Sequence, residues 1–147
     1  MRPKYNDCGS KIKHLNKIME MNFNKAVEEY NLTAQQARTL FFLIHHNEGE
    51  GEIEINQRDI EREFNLTNPT VSGILLRLEE KGYIQRITSQ KDARYKKIVV
   101  APKTWMFVEE LDTKRKKSER LLLQGISEEE EKEFKRIADI MIQNMSI

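Results

Sequence analysis

Only one cysteine, Cys8, occurs in the 147 residues, which excludes an internal disulfide framework and any zinc site built from several thiolates. No apolar run approaches the roughly 20 residues needed to cross a bilayer, and the opening "MRPKYNDCGS" lacks the apolar stretch of a secretory signal. No membrane association and a cytoplasmic location are therefore expected. An excess of one charge sign is missing too. Lys and Arg number 25 against 24 Asp and Glu, a net charge of +1, so overall charge names no partner. There is no phosphate-binding glycine loop, no nucleophile elbow and no histidine beside a candidate nucleophile. An enzyme is not expected, nor a cofactor or metal.

What is present is the composition of a folded protein. With 38% hydrophobic and 33% charged residues, the chain suits one domain over residues 1–147, large enough to bury a real core. Its charge is unevenly placed: residues 1–55 carry about −1, residues 56–101 about +3 and residues 102–147 about −1. Inside the central segment Arg86, Lys91, Arg94, Lys96 and Lys97 face only Asp92. This basic stretch reads as a hairpin.

Periodicity orders the elements. Ile12, Leu15, Ile18, Phe23, Ala26 and Val27 fall near helical spacing and predict a helix over residues 10–30, with Ser10 as its N-cap. Thr33 with Gln36 forms a capping-box pattern for a second helix, apolar from Leu40 to Ile44 and stopped by "NEGEG". After a short strand candidate, "EIEI" at 52–55, "NQRDIEREFNL" predicts a two-turn helix with Ile60 and Phe64 inward. The next helix has its cap at Thr67 or Asn68, Pro69 in its first turn and Gly82 just past its end. Two helices joined by "NLTN" have the tight connection of a helix-turn-helix. "YIQRIT" and "YKKIVVA" then read as strands joined across "SQKDAR". Beyond Pro102 a helix carrying Trp105, Val108 and Leu111 runs to Gly125. Ser127 and Glu130 box the start of a last helix striped by Phe134, Ile137, Ala138, Met141 and Ile142, and "EEEE" suits its N-terminal dipole. The fold class is mainly α, with a small β element (α+β).

On a helical wheel Ile74, Leu75 and Leu78 fall within about 60° of Val71. The opposite face begins with Thr67, Asn68, Thr70, Ser72 and Gly73 and ends in Arg77. Short side chains with hydrogen-bonding tips near a helix N-terminus suit a major groove about 12 Å wide, and the free N–H groups there suit a phosphate. A well-capped, solvated surface helix fits the same residues. The adjoining basic hairpin favours the nucleic-acid reading, because a basic tip can reach a neighbouring minor groove. Helix and hairpin together make a winged helix-turn-helix.

"LTAQQARTLFFL", "INQRDIEREFNLTNPTVSGILLRLEEKGYIQR" and "KDARYKKIVV" resemble, in order and spacing, the multiple-antibiotic-resistance regulator (MarR) family of bacterial transcription factors, over about residues 10–145. The resemblance implies that Arg94 enters the minor groove while Asp92 orients it through a salt bridge. A guanidinium so held loses less rotamer freedom on binding. It also implies a homodimer built from helices at residues 10–30 and 103–145, with residues 33–101 as the DNA-binding part. Such a dimer would repress transcription from a pseudo-palindromic operator and respond to a small aromatic or anionic effector. The expected DNA-facing set is Gln57, Thr67, Asn68, Thr70, Ser72, Gly73, Arg77, Lys91, Asp92, Arg94 and Lys96.

Gly73 stands where many members carry a longer side chain, and Leu76 where a polar residue is commoner. Leu76 reads as an exposed leucine, with a thymine-methyl contact as the alternative. Ala101-Pro102 replaces the usual Leu-Thr without an expected change of fold, since proline can begin a helix. Two other functions remain open: a winged-helix module that docks an acidic protein, and a redox sensor using Cys8 at a helix start. His45 and His46 are adjacent and so point to different helix faces, which argues against a metal pair.

Overall fold

The computed structural model describes residues 4–47, 54–88, 92–94 and 96–147. Among the described residues six helices and a hairpin follow one another as α1 (Cys8–Glu28), α2 (Ala34–Asn47), α3 (Gln57–Phe64), α4 (Asn68–Glu80), β1 (Ile84–Thr88), β2 (Lys96–Val100), α5 (Pro102–Leu122) and α6 (Glu128–Met145). The mainly helical fold with a small antiparallel sheet is the expected one. Two compact units divide the chain, residues 1–109 and residues 110–147, with α5 contributing to both.

The first unit holds a continuous core. Ala37, Leu40, Leu43 and Ile44 of α2, Ile60 of α3, Val71, Leu75 and Leu78 of α4, Ile84 of β1 and Ile98 of β2 are all buried. Each fully buried aliphatic side chain contributes about 1.5–3 kcal/mol, so this cluster is the main source of the unit's stability. Phe64 turns inward, edge-on to Phe42 at 5.8 Å between ring centres. Phe107 closes the back of the core, edge-on to Tyr30 at 4.8 Å and to Tyr83 at 5.7 Å. Helix α1 is tied to α2 by an ion pair between Arg38 and Glu20, 2.5 Å long, and by Arg38 lying over the Phe23 ring.

Local signals in the sequence set most boundaries. Thr33 and Gln36 exchange backbone-to-side-chain bonds of 3.1 and 3.2 Å, so that box holds as expected. Gly82 adopts φ +80°, and the Tyr83 N–H closes on the Leu78 carbonyl, a left-handed stop that Cβ-bearing residues resist. The cap of α1 differs from expectation. Asp7, not Ser10, is the N-cap, and its carboxylate accepts from the Ser10 N–H at 2.8 Å because a charged acceptor at that end also meets the helix dipole. Helix α5 begins at Pro102 as foreseen, but its buried line is Thr104, Phe107 and Leu111, while Trp105 stays exposed. A threonine is tolerated there because its hydroxyl donates to the Tyr83 carbonyl at 2.6 Å.

The strand candidate at 52–55 lies partly outside the described residues. Glu54 and Ile55 are not in a strand, although the Ile55 carbonyl accepts from the Ile98 N–H of β2 at 3.1 Å. Strands β1 and β2 pair antiparallel, Ile84 opposite Val100 and Thr88 opposite Lys96.

In the second unit, Ser127 and Glu130 form the anticipated capping box at 3.0 and 3.1 Å. Gly125, at φ +84°, turns the chain into α6. No residue of α6 is buried, and Phe134, Ile137, Met141 and Ile142 lie exposed. No helix among the described residues is long and apolar enough to cross a membrane.

Candidate nucleic-acid interface

Helices α3 and α4 meet through a short turn in which Asn65 takes a left-handed conformation, φ 50°. Asn56 caps α3 in a capping box with Asp59, bonds of 2.9 and 3.2 Å, which fixes the entry of α3 next to the start of α4. Thr67 is the N-cap of α4 but its side chain makes no capping bond. Its hydroxyl pairs with that of Thr70 at 2.9 Å. The first turn of α4 therefore keeps backbone donors uncovered by a side-chain cap, as an anion site requires.

The outer face of α4 is as slim as the wheel implied. Thr67, Asn68 and Thr70 are exposed, Ser72 and Gly73 half-buried, Arg77 exposed. A Cβ added at Gly73 would meet nothing within 4 Å, so the glycine leaves open space and is not forced by the fold. Leu76 is 48% exposed.

Gln57, at the first position of α3, crosses to α4: its Nε2 donates to the Ser72 hydroxyl at 2.8 Å and to the Asn68 carbonyl at 3.2 Å. The Asn68 amide reaches back to Glu61 at 3.3 Å. Polar groups that spacing alone treated as separate are thus one hydrogen-bonded network.

At the hairpin tip Asp92 and Arg94 form the pair anticipated from Asp-Ala-Arg. Arg94 Nη2 lies 2.8 Å from Asp92 Oδ2, Nε 3.1 Å from Oδ1, and the Arg94 N–H also donates to Oδ1 at 3.1 Å. The fork leaves the guanidinium side chain 83% exposed. Hydrogen bonds from Arg94 hold the Asp92 carboxyl below the usual carboxylate range. Lys91 lies outside the described residues; Lys96 is exposed at the start of β2.

Arg86 departs from the basic-hairpin reading. It forks onto Glu79 of α4 at 3.1 and 3.3 Å, a partner that counting charges within the hairpin omitted. Arg86 and, more weakly, Lys96 keep Glu79 ionised to lower pH than usual. Between α3, α4 and the hairpin runs an open groove of about 360 Å³ that brings Gln57, Asn68, Arg94 and Lys96 together. Arg58 and Glu61 line it as well, and the sequence reading passed over both. The half of α3 facing α4 was the available signal, since residues three apart on a short helix share a face.

Elsewhere, Cys8 is exposed at the first position of α1. His46 Nδ1 lies 2.9 Å from the Phe42 carbonyl, the bond expected of a histidine closing a helix C-terminus.

A helix-turn-helix followed by an antiparallel wing, with an arginine presented at its tip, defines a winged-helix protein. Residues 30–94 match the model of the MarR family. Its fold is similar to that of MepR, a transcription regulator of the Staphylococcus aureus multidrug efflux pump MepA, at 25% identity and TM-score 0.82 over 96% of this chain and 100% of that one. It is also similar to the S. aureus MepR–DNA complex, at 25% identity and TM-score 0.73 over 95% and 97% of the two chains. The transcription regulator MarR from Oenococcus oeni aligns at 26% identity and TM-score 0.65, over 93% and 99%. No curated protein matches the chain in sequence.

Proposed function

We propose that the chain is a transcriptional repressor that binds a pseudo-palindromic duplex as a homodimer. The coarser statement, a DNA-binding transcription regulator, is supported by the match of residues 30–94 to the MarR family model and by the likeness to a regulator solved on DNA. The observation that carries the finer reading is the Asp92–Arg94 fork: an exposed guanidinium held in one orientation beside the slim face of α4. A pre-oriented arginine suits a narrow, negative minor groove, and small polar side chains suit the adjacent major groove. In this reading residues 33–101 read DNA through Gln57, Thr67, Asn68, Thr70, Ser72, Gly73, Arg77, Lys91, Asp92, Arg94 and Lys96.

Support for the homodimer comes from both chain ends. Ile12, Leu15, Ile18, Met19 and Met21 on α1, and the stripe on α6, are exposed apolar side chains that a second copy would cover. Residues 10–30 and 103–145 are the dimerisation helices in this scheme. A small aromatic or anionic effector would act by binding one arrangement of the dimer more tightly than another, the only thermodynamic route to control.

Selection of bound duplexes from a random pool tests the proposal. The expected outcome is an inverted repeat with half-sites ~10 bp apart, bound less tightly as salt rises. Arg94→Ala should weaken that binding by roughly 1–3 kcal/mol. Unchanged affinity would remove the wing from the interface, and indifference to sequence would favour a protein-docking role.

A further inference from the structure

The outermost line of α4 is apolar. Taken at the 100° step of an α-helix, Pro69, Gly73 and Leu76 lie within about 50° of the direction opposite the buried Val71, Leu75 and Leu78. They succeed one another at spacings of four and three residues, neighbouring positions on a helix surface, over about 10 Å of its axis. Pro69 is exposed, and Leu76 leaves 48% of its surface uncovered. A single exposed leucine is ordinary, but the line farthest from a helix's buried face is where polar and charged residues are expected. Polar groups flank this row instead. Thr70 and Arg77 stand on one side; on the other, the Asn68 carbonyl and the Ser72 hydroxyl both receive the Gln57 amide, which ties that flank to α3. Between Pro69 and Leu76 the row has a gap. A Cβ at Gly73 would meet no atom within 4 Å among the described residues, the Leu76 side chain included. Such a gap admits a methyl group, whose carbon sits about 3.5–4 Å from its neighbours at contact.

We propose that Gly73 and Leu76 form a methyl notch: a thymine C5-methyl enters over the Gly73 backbone and packs against Leu76, making thymine the preferred base at one position of each half-site. This rests on the DNA-binding reading given above. Among the four bases only thymine carries a methyl group in the major groove, and an apolar side chain is the partner that suits it. The bare glycine lets the helix approach the base closely, and Leu76 supplies the apolar wall.

The test uses the full-length protein and the duplex that it selects from a random pool. Each thymine of the half-site is replaced in turn by deoxyuridine, which removes the methyl and keeps the pairing edge and the major-groove oxygen. At one thymine affinity should fall about fourfold, and about fifteenfold when both half-sites carry the change, the worth of one buried methyl each. With cytosine placed there, 5-methylcytosine should bind more tightly than cytosine by a similar factor, because the methyl returns while the hydrogen-bonding groups stay the same. Leu76→Ala removes the wall and Gly73→Ala fills the notch. Each variant, checked for a thermal transition no lower than that of the wild type, should bring the thymine-to-uracil ratio at that position toward one and leave preferences elsewhere intact. A selected operator with no methyl-sensitive thymine, or a ratio that survives in either variant, overturns the notch while sequence-specific binding stands. A pool from which no sequence is preferred would instead overturn the DNA-reading function beneath it.

Discussion

Helices α4 and α6 are both amphipathic and both begin at a hydroxyl residue in extended conformation, yet they end in opposite circumstances. Helix α4 buries Val71, Leu75 and Leu78 completely, while on α6 Phe134 remains 63% and Ile142 62% exposed. A pattern of apolar residues writes the helix; whether its face is covered depends on what stands opposite. Within residues 1–109 the surroundings of α4 are supplied by α2, α3 and the hairpin. The α6 stripe is exposed, and a second copy is its proposed cover.

The sharpest way to break this comparison is Phe134→Glu. A charge on the α6 stripe should weaken dimerisation by ~3–6 kcal/mol, because a symmetric interface counts the substitution twice. Analytical ultracentrifugation should find a monomer whose circular dichroism still shows the helices; a dimer of wild-type strength would mean that α6 is not at the interface. Leu75→Ala should do the reverse, costing about 2–5 kcal/mol of fold stability in urea through the cavity it leaves. Gly73→Ala sharpens the contrast between the two faces of α4. With open space around the added methyl, the fold should gain about 0.5–1 kcal/mol in thermal unfolding, while DNA affinity falls severalfold where the groove floor approaches the helix. The smallest effect concerns Asp92. Its folded carboxyl titrates below the ordinary ~3.9, so the Arg94 fork is fully present above that value and is lost as pH falls through the depressed one. A carboxyl-carbon titration by NMR should show a low midpoint that returns to the ordinary value in Arg94→Ala.

Much of the fold was legible because it is locally encoded. The boxes at Thr33–Gln36 and Ser127–Glu130, the stop at Gly82 and the Asp92–Arg94 turn each involve residues close together in the chain, five positions apart at most. The box at Asn56–Asp59 is equally local but lay at the edge of a strand candidate and was overlooked. Contacts across elements were not legible. Glu79–Arg86 joins a helix to a strand, Gln57–Ser72 spans fifteen positions, and Thr104–Tyr83 spans twenty-one. The last shows the physical reason: a threonine counts as polar in any periodicity, and only the geometry of its acceptor makes it a core residue.

The Glu79–Arg86 fork has one more consequence. The hairpin is joined to α4 through the chain at Gly82 and again through this ion pair, a second tether that narrows how far the wing can swing against the helix. In the proposed reading, helix and wing would keep their spacing on DNA, and a half-site stretched by a single base pair, ~3.4 Å, should suit one of them less well than the other.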